Sequence, residues 1–194
     1  MTLTADTAAG LALGLGLAAA CGFRVFVPLL IVSLGARLGY VPLAAGWDWV
    51  ASVPATVAFG SATLIEVLGY YIPWLDHVLD LIATPAAVAA GIVTSACVVA
   101  DLPPLVKWAA VIIGGGGLAA VVQGCTVALR AASGATTGGL GNPVVATGEL
   151  AGSSLTALAA IVAPLIALAA ILLFLVVLVL ILRRVATRRR PVRR

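Results

Sequence analysis

The sequence predicts an all-α polytopic integral membrane protein of about five transmembrane helices, some of them proline- or glycine-broken or re-entrant. Of 194 residues, 63% are hydrophobic and only 9% charged. The mean hydropathy is +1.22, and five apolar stretches reach the ~20 residues that an α-helix needs to cross a bilayer. Soluble domains carry about 25% charged residues. Too few polar side chains remain here to cover a wet surface, which excludes a water-soluble domain and a nucleic-acid module. The apolar content equally excludes a disordered chain.

The first stretch, residues 8 to 36, holds Gly22, Arg24 and Pro28 near its middle. A proline there removes a backbone donor, so the helix is expected to break and its freed carbonyls to find other partners. Ala18, Ala19 and Ala20 before Cys21 have the small-residue character of a lipoprotein cleavage site. No basic residue precedes them, so the stretch is read as a retained membrane segment.

The second stretch, 53 to 72, carries Glu66 about two turns inside. The third, 75 to 100, carries Asp76 and Asp80, then Thr84 and Pro85, where a second break is expected. Asp76, Asp80 and Thr84 follow a four-residue spacing and share one helix face. The fourth, 105 to 130, contains four consecutive glycines, Gly114 to Gly117, which invite close packing or local unwinding.

Residues 131 to 143 are rich in Gly and Thr, and a compact or re-entrant loop buried in protein is expected. The final helix, 150 to 182, is capped by Thr147 or Gly148 with Glu149 in its first turn, and it tilts or kinks around Pro164. Cys21, Cys97 and Cys125 lack metal or redox spacing and serve as small hydrophobes. Trp47, Trp49, Trp74 and Trp108, with Tyr40, Tyr70 and Tyr71, lie near segment ends and form an interfacial belt.

Seven of the eleven basic residues are arginines of the last twelve positions. Residues 1 to 182 form a single transmembrane domain with four basic against seven acidic groups, and 183 to 194 form a basic tail. Arginines directly after an apolar helix anchor it to anionic lipid on the cytoplasmic side, in a bacterial inner membrane, and no nucleic-acid partner is expected. An odd number of crossings then puts the N-terminus outside.

Ionisable groups in hydrocarbon cost ~2.5–3.5 kcal/mol each on insertion scales, so each must be paired, water-facing or functional. Arg24, Glu66, Asp76 and Asp80 are such groups, with Arg130 and Glu149 nearer segment ends. Arg24 alone cannot neutralise Glu66, Asp76 and Asp80, which leaves room for a proton or a hard cation among the three. That pattern predicts a small cation transporter or channel, working as a homo-oligomer. Arg24, Glu66, Asp76, Asp80, Thr84, Asn142 and Glu149 are its expected pathway, and no cofactor is expected unless Glu66, Asp76 and Asp80 hold a divalent ion. His77, the single histidine, adds one imidazole, which does not make a zinc site. The alternatives are a protein that binds or flips lipid or polyprenyl-phosphate headgroups through Arg24, and a non-transporting scaffold in which every charge is paired. No nucleophile, base and orienter can be nominated together, so no enzyme is expected.

Gly22-Phe23-Arg24-Val25-Phe26-Val27-Pro28, Glu66 with Tyr70-Tyr71-Ile72-Pro73-Trp74-Leu75-Asp76, Ile82-Ala83-Thr84-Pro85-Ala86 and Gly139-Leu140-Gly141-Asn142-Pro143 with Glu149 form a combination of motifs. Over residues 10 to 165 the chain resembles a family of small bacterial and plastid membrane proteins, a domain of unknown function. The resemblance implies a compact polytopic fold and no particular activity.

Overall fold

The computed structural model describes residues 5–72, 75–100 and 102–188, without the side chains of 76, 77, 178, 179 and 181–188. Among the described residues it is all-helical, with seven helices in place of the expected five. They are α1 (Ala5–Phe23), α2 (Phe26–Arg37), α3 (Val53–Gly69), α4 (Leu75–Val98), α5 (Pro104–Thr137), α6 (Asn142–Val162) and α7 (Pro164–Arg188). Four contain long apolar spans, namely Ala5–Phe23, Val78–Val98, Pro104–Thr137 and Asn142–Val162. The chain is a polytopic membrane protein.

Two of the sequence stretches are each two antiparallel helices. The first breaks at Arg24 and Val25 and turns back. Asp6 and Gly10 of α1 line the same cavity as Tyr40, which follows α2. Pro28 falls in the first turn of α2, where its missing N–H has no intrahelical use. The last stretch breaks at Ala163, whose non-helical backbone (φ −145°, ψ 72°) lets Pro164 open α7. At 12 residues, α2 is about 18 Å long and short of a ~30 Å hydrocarbon core.

Three local expectations are corrected. Pro85 lies inside an α4 that stays helical from Leu75 to Val98, with the Thr84 hydroxyl donating back to the Asp80 carbonyl (3.1 Å). The Gly/Thr-rich run is mostly helix, in which Thr136 and Thr137 donate back to carbonyls of their own helix. Only a tight turn is left, with Gly138 (φ 62°) and Gly139 (φ 89°) in the left-handed region. The helix carrying Glu149 starts at Asn142, with Pro143 in its first turn, so Thr147 and Gly148 are interior positions and not caps.

The core is α1, which packs against α4, α5, α6 and α7. Small residues and serine hydroxyls permit the close approach. Ser95 donates to the Gly14 carbonyl (2.9 Å) and Ser153 to that of Ala20 (3.0 Å). The glycine run of α5 forms a π-helical turn, Ala110–Gly116. A Cβ on Gly115 would stand 2.9 Å from the Gly91 carbonyl oxygen, so the α4–α5 crossing requires glycine there.

Candidate functional site

One end of the bundle gathers its buried charges. Arg24 sits at the α1–α2 break, Glu66 in the last turn of α3, Tyr70 just beyond it, Asp80 in α4, Arg130 in α5 and Glu149 in α6. Arg130 and Glu149 each lie about seven residues, or ~10 Å, inside their helix ends. The site is therefore inside the helical bundle and near one face of it.

Tyr70 is the hub. Its ring is 4.0 Å from the Arg24 guanidinium carbon and 3.8 Å from that of Arg130. Such contacts are favourable by about 0.5–2 kcal/mol each and keep two like charges apart. The Tyr70 hydroxyl donates to Asp80 Oδ1 (3.3 Å). Arg130 is shared: Nη1 donates to Asp80 Oδ1, while Nε (3.0 Å) and Nη2 both donate to the Glu149 carboxylate. The two carboxylates differ in access, with side chains 16% exposed at Asp80 and 3% at Glu149.

Arg24 is 1% exposed. Its Nη2 donates to the Ala146 carbonyl (2.9 Å) and stands 3.5 Å from Glu149 Oε2. Its Nε and Nη1 have no hydrogen-bond partner among the described residues. Glu66 spends both oxygens on the start of α2, accepting from the backbone amides of Val25 (2.8 Å) and Phe26 (3.0 Å). It satisfies the donors left by the break and places a negative charge at a helix N-terminus.

Arg24, Glu66, Asp80 and Glu149 are thus brought together, with Asn142 buried at the start of α6. Thr84 is exposed and bonds only its own helix, so it lies outside the cluster. The Asp76 side chain and Trp74 lie outside the described residues. No group of three His, Cys, Asp or Glu is placed to hold a metal ion among the described residues. Tyr71 is exposed and meets the Thr147 hydroxyl at 2.7 Å. Tyr70, expected in the interfacial belt, is 4% exposed, because it packs between the two arginines. Sequence reasoning left Tyr70 and Arg130 out of the site. The available signals were the i, i+4 spacing of Glu66 and Tyr70, and Arg130 being the second arginine of the apolar stretches.

The fold and this buried ionic cluster define a polytopic membrane protein with an internal polar site. By its sequence the chain belongs to a family described as a domain of unknown function (DUF4126), whose model matches residues 11–184. Neither a curated protein nor a solved structure matches the chain.

Proposed function

We propose that the protein is a small proton-coupled transporter of the cell membrane, with its arginine tail in the cytoplasm. One observation carries this reading: a single guanidinium, Arg130, is held between two carboxylates of unequal access, Asp80 and Glu149. A proton arriving at the half-buried Asp80 removes the charge that holds Nη1, and Arg130 then rests on Glu149 alone. A proton passed on to Glu149 reverses the balance. Arg130 bonds the two carboxylates through different nitrogens, so protonation of either one leaves the guanidinium held by the other in a low-dielectric setting.

A proton suits the site better than a metal. The carboxylate oxygens already face guanidinium or amide donors, so a hard cation would have to displace them. Glu66 serves here as the support of the α1–α2 break and not as an ion ligand. The cluster is built within one chain, so this reading requires no second copy.

The scaffold reading has its own supporting observation, since Glu66, Asp80 and Glu149 each have a partner. Proton flux in sealed liposomes containing the purified protein and a pH-sensitive dye separates the two. The transporter predicts flux that is lost in Asp80→Asn and Glu149→Gln. The scaffold predicts silence in all three proteins, with both variants less stable.

A further inference from the structure

Beside the ionic cluster, α5, α6 and α7 leave two cavities of about 310 and 250 Å³ that adjoin, since Phe23, Val122 and Phe174 line both. Together they form one groove along α6 from Val145 to Ala159, about 20 Å at ~1.5 Å per residue. α5 and α6 hold two of the long apolar spans, and the flanking side chains Leu129, Leu155 and Phe174 are exposed, so the groove opens sideways to the bilayer. An occupant therefore arrives through lipid and brings an apolar body.

One charged group lines the groove, the carboxylate of Glu149 near its Val145 end. It belongs to a cluster that gathers, among the described residues, the three carboxylates Glu66, Asp80 and Glu149 with the two guanidiniums Arg24 and Arg130. With all five ionised, one negative charge is in excess in a low-dielectric setting, which attracts a monovalent cation. The Glu149 oxygens already accept from Arg130 Nε (3.0 Å) and Nη2. A metal ion or a primary ammonium needs free oxygens and would have to displace those bonds. A quaternary ammonium has no N–H to satisfy. It responds to the field of the carboxylate and to aromatic surface, which Phe23 and Phe174 supply with ring centroids 6.4 Å apart.

A quaternary ammonium head on a single apolar chain matches the charge, the rings and the length of the groove. We propose that the groove binds such a lipophilic cation, its head beside Glu149 and against Phe23 and Phe174, its chain between α5, α6 and α7 toward Ala159 and Ala170. The cation takes up the excess charge that a proton otherwise cancels, which makes it the substrate class exchanged for protons. That role as cargo rests on the transporter reading, whereas binding needs no pH gradient.

The test is equilibrium binding to the full-length protein in neutral detergent micelles, corrected for protein-free micelles, with decyltrimethylammonium, decylphosphocholine, decanol and tetramethylammonium as probes. Decyltrimethylammonium is expected to bind at least about tenfold more tightly than each of the others. Glu149→Gln removes the charge and should bring decyltrimethylammonium and decanol to equal affinity. Gly148 lines the same end of the groove, and a Cβ built on it meets nothing within 4 Å. Gly148→Leu should therefore fill that space and weaken decyltrimethylammonium about tenfold, without lowering the unfolding midpoint of the ligand-free protein. Should Glu149→Gln fail to fold, Gly148→Leu still decides. Decanol binding as tightly would make this a plain apolar groove, tetramethylammonium a head site without a chain, and decylphosphocholine a zwitterionic headgroup site. Each of these overturns the proposal, as does undiminished binding in Gly148→Leu. The transporter reading fails separately: a protein that binds decyltrimethylammonium and passes no protons keeps the site and loses the cargo role, and one that passes protons and binds none of the probes loses the site alone.

Discussion

Tyr70 and Glu66 show how single residues hold the site together. Two guanidiniums lie over one phenol ring, so the ring matters more than its hydroxyl. Tyr70→Phe keeps both cation–π contacts and gives up one long hydrogen bond, and should cost under about 1 kcal/mol. Tyr70→Leu removes the separation between Arg24 and Arg130 and should cost about 2–3 kcal/mol, measured as a drop in thermal unfolding midpoint in detergent. Glu66→Gln places an amide donor against a backbone N–H and should cost about 1–3 kcal/mol in the same measurement. Arg24, Glu66, Asp80 and Glu149 were legible in the sequence because a charge in an apolar run needs an explanation. Tyr70 was hidden by its neighbours: in Tyr70-Tyr71-Ile72-Pro73-Trp74, aromatics near a segment end have the composition of an interfacial belt, and composition does not say which ring points inward.

At the scale of the element, the glycine run in α5 decides which way Arg130 faces. A π-helical turn is one residue more than an α-helix needs, and each residue turns the helix by about 100°. Deleting Gly117 should therefore convert the turn to α-helix and leave Arg130 facing Asp80, with flux and stability retained. Inserting one alanine at the same place should rotate Arg130 away and abolish both. The glycines also differ among themselves. Gly115→Ala would push a methyl against Ser95 and the Gly91 carbonyl and should destabilise the protein, whereas Gly117→Ala meets nothing within 4 Å and should stabilise it by up to about 1 kcal/mol. Unfolding midpoints of the two variants check this opposite pair. Four consecutive glycines predict a close approach or unwinding, and both occur; which glycine is needed depends on the residues of α4 facing it, Gly91 and Ser95, which sequence spacing does not reveal.

At the scale of the whole molecule, the hidden fact was reversal. A proline or glycine in an apolar stretch marks a break, but a break is a kink or a hairpin according to what the second half packs against. Residues 26–37 return because Ser33 of α2 reaches the Val50 carbonyl (2.7 Å) and the Thr56 hydroxyl (2.7 Å), which fastens α2 to α3. Two hairpins turn two of the five expected passes into pairs of helices, one of which, α2, is too short to cross the hydrocarbon core. Asp6 lines a cavity with Val98 and Pro164, while Phe174 of α7 has already reached the level of Phe23, so α1 starts and α7 finishes at opposite ends of the bundle. Single cysteines introduced at Asp6 and Thr187 should accordingly label from opposite sides of the membrane; labelling from one side would contradict the topology.

The exchange of a proton across Arg130 is the central claim, and infrared difference spectroscopy on the reconstituted protein tests it most directly. Between acidic and neutral buffer, the account predicts a carboxylic C=O band that disappears in Asp80→Asn, with a coupled shift from Glu149 that is lost in Glu149→Gln. A spectrum without any such band, in a protein that remains folded, would contradict it.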